Sequence, residues 1–371
     1  MNSNPEITFG TRIRKSPFFD STIKWGAKGF TVYNKMYMPT YYASYEEDYW
    51  SLVKDVTLWD VGAERQVEIT GPDAENFIEY ITPRDISKCK VGQCMYVLLT
   101  EKNGGIVNDP ILLKLSENHF WLSIADSDVL LWCLGIASSG KFNVKISEPD
   151  VSPLALQGPK AHMLMEKIFP ESRDIKFFYF KKTSIINIPV IVARSGWSGE
   201  IGYEIYLMDK IKGNELWEFI MTKGKEFNIK PATPNQISRI ECGMLSYGSD
   251  MSLNETPYDV NMSKFVNLYK KADFLSKDAL LKVEKEKMYK KLVGIELLNE
   301  KPIDYSPDHQ PIISNNKIVG KITSSVYSPR LNKNIALGLV ENSALKDTCY
   351  IETNEGKNNI LFSTLPFLRN K

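Results

Sequence analysis

Ser195-Gly196-Trp197-Ser198-Gly199-Glu200-Ile201-Gly202-Tyr203-Glu204-Ile205-Tyr206 joins one strand-like run, Ile188-Pro189-Val190-Ile191-Val192-Ala193, to a second, Tyr203-Glu204-Ile205-Tyr206-Leu207. Glycine allows positive φ and lets a flat ligand approach the backbone. A carboxylate beside such a loop accepts a fork of N–H groups from an amino-substituted heterocycle, while an aromatic ring covers its face. The stretch therefore predicts a site for a planar, nitrogen-rich molecule between two strands.

Strand signals continue on both sides of it. Arg65-Gln66-Val67-Glu68-Ile69 alternates polar and apolar residues and stops at Gly71-Pro72, where a helix through Phe77, Ile78 and Ile81 begins. Leu154-Ala155-Leu156-Gln157-Gly158-Pro159 repeats that strand–Gly–Pro–helix order. Lys102-Asn103-Gly104-Gly105 between two apolar runs predicts a hairpin. Further helices are expected over 128–137, 214–227, 235–245 and 274–287, the last a Lys/Glu-rich solvated face. From Lys291 onward short strands alternate with turns, as in a small barrel. The expected units are 1–150 with part of 230–285, then 151–229, then a barrel over 286–371.

Bulk properties exclude several classes. A chain of 371 residues exceeds one ordinary core, and 43% hydrophobic with 25% charged residues is an ordinary globular composition. A net charge of +1 gives no electrostatic case for nucleic acid or a membrane surface. Met1 to Lys15 lacks the apolar segment of a signal peptide, and no apolar run reaches bilayer-spanning length. Five scattered cysteines fit reduced thiols, so a cytoplasmic location is expected. The three histidines, His119, His162 and His309, lie far apart, so neither a zinc site nor a histidine-based mechanism is expected. Walker, G-x-S-x-G and G-x-G-x-x-G motifs are missing.

Seven segments in order resemble the aminomethyltransferase (T-protein) family of the glycine cleavage system. Tyr37-Met38-Pro39-Thr40-Tyr41-Tyr42 is similar to its M-P-x-x-Y element and Leu58-Trp59-Asp60-Val61 to its F-D-V-S segment. Asn103-Gly104-Gly105-Ile106-Val107-Asn108-Asp109 resembles its G-G-x-x-D-D hairpin, and Leu156-Gln157-Gly158-Pro159 its V-Q-G-P strand end. The opening stretch resembles T-G-Y-T-G-E-x-G-Y-E, and Arg239-Ile240-Glu241-Cys242-Gly243-Met244 resembles R-x-E-A-G-M. Ser324 to Leu337 is similar to a run of the family's C-terminal barrel. The resemblance implies an α+β, three-domain cloverleaf, with antiparallel sheets, flanking helices and a C-terminal β-barrel. It also implies tetrahydrofolate as co-substrate, no metal, and a monomer or homodimer.

Departures from the family pattern are informative. Asn108 stands where glycine-cleaving members carry the first carboxylate of an acidic pair, Gly62-Ala63-Glu64-Arg65-Gln66 replaces S-H-M, and Trp197 replaces a tyrosine. These resemble a branch of the family that demethylates dimethylsulfoniopropionate, moving a methyl group from a sulfonium to tetrahydrofolate. Glycine-cleavage aminomethyl transfer, another N-methyl demethylation, and folate binding without catalysis are the alternatives. The last is disfavoured because Gly92-Gln93-Cys94-Met95 lacks the K-G-C-Y type of motif. On this resemblance Glu200 grips the pterin, with Tyr96 and Asp109 beside the folate, and Arg239 either reaches the folate or pairs with Glu241. Asn108 keeps a hydrogen-bond donor near the reacting nitrogen. Tyr33, Trp197, Tyr206 and Tyr247 are candidates to face the sulfonium, Trp197 and Tyr206 above the others. Arg65 is the candidate for the substrate carboxylate.

Overall fold

The two strand–Gly–Pro segments fold alike in the computed structural model, which describes residues 9–287, 289–298, 309–353 and 356–368. Gln66–Thr70 ends at Gly71 (φ +125°) and leads into the helix Ala74–Ile81. Ser152–Gln157 ends at Gly158 (φ +129°) and leads into Ala161–Ile168. A Cβ at either glycine would stand 2.6 Å from a carbonyl oxygen, of Asn143 in one case and Asp55 in the other. Left-handed backbone and close packing thus require glycine at both turns.

Each module anchors a sheet. The first is antiparallel, in the order Lys145–Ser147, Gln66–Thr70, His119–Ser123, Ile111–Ser116, Cys94–Tyr96. The second runs Phe180–Ile185, Ile188–Ala193, Gly202–Leu207, Ser152–Gln157, Thr57–Asp60, Lys230–Ala232. Its last pairing is parallel. The chain therefore enters the second sheet before it builds the first, and returns to it late.

Side-chain alternation decides what each face meets. In Gly202–Leu207, Tyr203, Ile205 and Leu207 pack with Leu164, Trp217 and Ile220 of the helices outside the second sheet. Tyr206 points the other way, into a cluster with Leu113, Leu115 and Trp121 of the first sheet. The two sheets are thus joined face to face, with Val67, Ile69, Phe77, Ile78 and Phe120 forming the core of the first.

Beyond residue 290 six strands close into a barrel, from Lys290–Leu297 to Gly356–Ser363, around Ile295, Ile312, Ile322 and Ile351. The helix expected over 128–137 spans Val129–Ala137, whereas two others are shorter than the sequence predicts. The helix expected over 235–245 spans Gln236–Glu241, because Asn235 accepts from Ser238 N at its start and Gly243 turns left-handed (φ +66°) just past its end. The helix expected over 274–287 spans Lys277–Glu286, with Leu280 buried and its charges solvated.

Candidate functional site

A cavity of about 560 Å³ opens where the N-terminal hairpin, both sheets and the segment after Gln236–Glu241 meet. Tyr33, Tyr96, Asp109, Trp197, Arg239 and Tyr247 line it, joined by Glu64 and Glu204. The hairpin turn at Asn34 and Lys35, both left-handed, ends the strand Gly29–Tyr33 and sets Tyr33 at the cavity wall. Asn34 is tied to the turn between Thr57–Asp60 and Gln66–Thr70 by donating through Nδ2 to Ala63 O at 3.0 Å.

Three carboxyl groups share this cavity, and their environments differ. Tyr96 donates to Asp109 Oδ2 at 3.0 Å, and the residue's own backbone N–H also bonds the carboxyl. Burial pushes the Asp109 carboxyl up to about 7 against that bond. Glu204 accepts from Ser195 Oγ and from Tyr206 OH, the latter at 3.3 Å, yet burial still raises its pKa. Burial also raises the Glu64 carboxyl, and Glu204 and Asp109 add like-charge repulsion. The same burial and carboxylates raise the Tyr33 phenol, so it stays a neutral hydrogen-bonding group.

Arg239 is the cation at this wall, and it is already paired. It sits 2.8 Å from Asp250 Oδ2 and donates to Gln236 Oε1, Met244 O and Ser324 Oγ, with its guanidinium 5.8 Å from the Trp197 ring centre. Four of its five N–H donors are thereby used. Asp250 also accepts from Thr323 and Ser324 of the barrel, at 2.6 and 2.7 Å. Arg239 thus binds the cavity wall to the barrel, and does not pair with Glu241.

Four residues expected at the site lie elsewhere. Asn108 is fully buried behind the wall: Oδ1 accepts from Ala125 N, and Nδ2 donates to Ala125 O and Ser127 Oγ. Its side chain pins the 125–127 loop and has no donor left for a ligand. An aspartate there would lose both donated bonds, so Asn108→Asp is expected to lower stability by about 1–3 kcal/mol; an unchanged melting temperature would contradict this. Tyr206 is buried between the sheets, its ring 6.3 Å from Trp121, and does not line the cavity itself but bonds Glu204 and Ser123, which do. Arg65 forks onto Glu148, with Nε at 2.9 Å, and opens on a separate crevice with Arg12, Arg14 and Lys35.

Glu200 faces Arg330 at 3.8 Å, beside a buried network in which Arg330 and Tyr49 both contact Glu241. The loop glycines allow close packing, and Gly196 also lines the cavity. A Cβ on Gly199 (φ +72°) would lie 2.2 Å from Cys242 Sγ, and one on Gly196 or Gly202 would strike the Gln157 amide. Glu204, within the opening stretch, is a further residue of the site. Its signal was a carboxylate in a run otherwise made of strand-forming apolar and aromatic residues.

Two family models match the chain: the GCVT N-terminal domain over residues 18–270 and the glycine cleavage T-protein C-terminal barrel domain over 290–368. The chain belongs to the aminomethyltransferase family. It is 40% identical over 333 residues, 90% of each chain, to the dimethylsulfoniopropionate demethylase DmdA of Ruegeria pomeroyi. It is 36% identical to an aminomethyltransferase of Clostridium botulinum, over 82% of this chain and 83% of that one. Its fold superposes on the glycine cleavage system aminomethyltransferase T of Bartonella henselae with a TM-score of 0.87, at 23% identity, covering 97% and 99% of the two chains. The aminomethyltransferase fold accounts for the sheet pair and the closed barrel. Among the described residues no helix is long and apolar enough to cross a membrane.

Proposed function

We propose that this protein is a tetrahydrofolate-dependent methyltransferase that demethylates dimethylsulfoniopropionate, yielding methylmercaptopropionate and 5-methyltetrahydrofolate. The observation that carries this reading is the 40% identity to DmdA across nine-tenths of both chains. The cavity supports it, because it joins carboxyls to aromatic faces and the cation at its wall, Arg239, is internally paired. That donor set suits both an amino-substituted pterin, whose N–H groups carboxylates accept, and a sulfonium, which ring faces attract.

Asp109 and Glu204 would hold the pterin, with Tyr96 and Tyr247 beside it. When bound, reduced folate supplies a neutral nucleophilic nitrogen that accepts the methyl group. The protein has little bond chemistry to perform, since the sulfonium is already activated: its C–S pair departs with sulfur, leaving a neutral thioether. Alignment in such a cavity can contribute about 7–11 kcal/mol in favourable intramolecular systems. The Asp109 carboxyl, raised to about 7, would take up the proton released as the amine is methylated.

Trp197 presents its ring at the same wall. Cation–π attraction of about 0.5–2 kcal/mol predicts that Trp197→Ala raises KM for the sulfonium by roughly 2- to 30-fold, with Trp197→Phe intermediate. An unaltered KM in the alanine variant would remove Trp197 from the sulfonium site.

Glycine-cleavage aminomethyl transfer is the second reading, favoured by the aminomethyltransferases among the relatives. Asn108 weighs against it, because it puts a committed amide where that reaction's carboxylate is expected. Anaerobic incubation with tetrahydrofolate and each donor decides between them. Formation of 5-methyltetrahydrofolate from the sulfonium is expected; 5,10-methylenetetrahydrofolate from an aminomethyl donor alone would favour the second reading.

A further inference from the structure

Glu64 differs from the other carboxylates of the cavity. Asp109 accepts from Tyr96, and Glu204 accepts from Ser195 and Tyr206. Among the described residues none donates to the Glu64 carboxylate, although it lines the same space. Arg239 is held by Asp250, and the adjacent Arg65 is turned away onto Glu148. The backbone at Glu64 is fixed nonetheless. Glu64 N donates to Val61 O at 2.8 Å, its carbonyl accepts from Gln66 Nε2 at 2.6 Å, and Gly62 N is held by Asp60 Oδ1 at 3.0 Å. A half-buried carboxyl on a rigid turn, with no donor among the described residues, gains its partner only from a ligand that supplies the opposite charge. It also lies in Gly62-Ala63-Glu64, the segment that departs from the family's S-H-M.

We propose that Glu64 is the counter-charge that selects a sulfonium: its carboxylate meets the positive sulfur of the donor and discriminates against a neutral molecule of the same shape. This rests on the demethylase reading above. The chemistry makes the role one of binding rather than rate. Positive charge on sulfur is largest in the bound substrate and disappears as the C–S bond breaks. A carboxylate beside it therefore stabilises the substrate more than the transition state, and loses its partner once the thioether forms, which favours product release. Burial and the neighbouring Glu204 and Asp109 keep the Glu64 carboxyl readily protonated when no cation is present.

The test compares dimethylsulfoniopropionate with 4-methylpentanoate, its neutral carbon isostere, in wild type, Glu64→Gln and Glu64→Asp. Wild type is expected to bind the sulfonium at least about tenfold more tightly than the isostere, and Glu64→Gln to lose most of that preference. KM for the sulfonium should rise at least about tenfold in Glu64→Gln while kcat is retained or increased, with Glu64→Asp restoring part of the preference. A general packing defect would not change the ratio of two isosteric ligands. Equal binding of the two ligands by wild type overturns the proposal without any variant, as does an unchanged preference in Glu64→Gln. If wild type binds the sulfonium but forms no methylfolate, the demethylase reading falls, while the binding comparison by equilibrium dialysis still decides the role of Glu64.

Discussion

Glu204→Ala is expected to lower kcat/KM for methyl transfer at least about 100-fold, in the range found when a preorganised charge is removed from an active site. Glu204 sits on a central strand of the second sheet, paired in register with Ala155 on one side and Ala193 on the other. Ser195 and Tyr206 orient its carboxylate toward the cavity. Alanine removes the acceptor proposed for the pterin and leaves the buried Ser195 hydroxyl without its carboxylate partner. Glu204→Gln keeps the shape and one acceptor oxygen, so its loss should be smaller. Titrating tetrahydrofolate into both variants separates the causes, because a held pterin predicts weaker folate binding as well as slower turnover. Wild-type folate affinity and rate in Glu204→Ala would remove this residue from the site.

Arg239→Ala is expected to cost about 3–5 kcal/mol of stability, because it strands a buried carboxylate. Asp250 is essentially inaccessible and faces Arg239 at 2.8 Å. Its other contacts, Thr323 and Ser324 of the barrel and Ser246 N, all donate to it, and none carries a full positive charge. Removing the guanidinium should loosen the barrel from Gln236–Glu241 and lower the melting temperature by about 4–6 °C. The double variant Arg239→Met with Asp250→Leu removes both charges and should recover much of the loss. A melting temperature within a degree of wild type in Arg239→Ala would show that the ion pair does not hold barrel and cavity wall together.

The fold was legible because its punctuation is local. Gly71-Pro72 and Gly158-Pro159 mark turns that only glycine can make at those contacts, and the alternation of Gln66–Thr70 names the face that meets the core. The barrel was readable for the same reason, from short strands split by turn residues. The site was less legible because its partners are distant in sequence. Arg65 looked free until Glu148 was seen to hold it, and Asn108 looked available until the 125–127 loop claimed its amide. Alternation in Gly202–Leu207 places Glu204 and Tyr206 on one face. Only the packing of sheet on sheet shows that Tyr206 is sealed against Trp121 while Glu204 reaches the cavity. Glu64 lies inside a segment whose departure from the family is visible, but that no described residue donates to it is a three-dimensional fact.

The most direct measurement follows the methyl carbon. Dimethylsulfoniopropionate carrying ¹³C in both S-methyl groups, incubated anaerobically with the protein and tetrahydrofolate, should give a ¹³C resonance of 5-methyltetrahydrofolate. An equal amount of methylmercaptopropionate, with one labelled methyl left on sulfur, should appear with it. Label that stays on the sulfonium while the protein still binds folate, or that reaches solvent without passing to folate, would contradict the account.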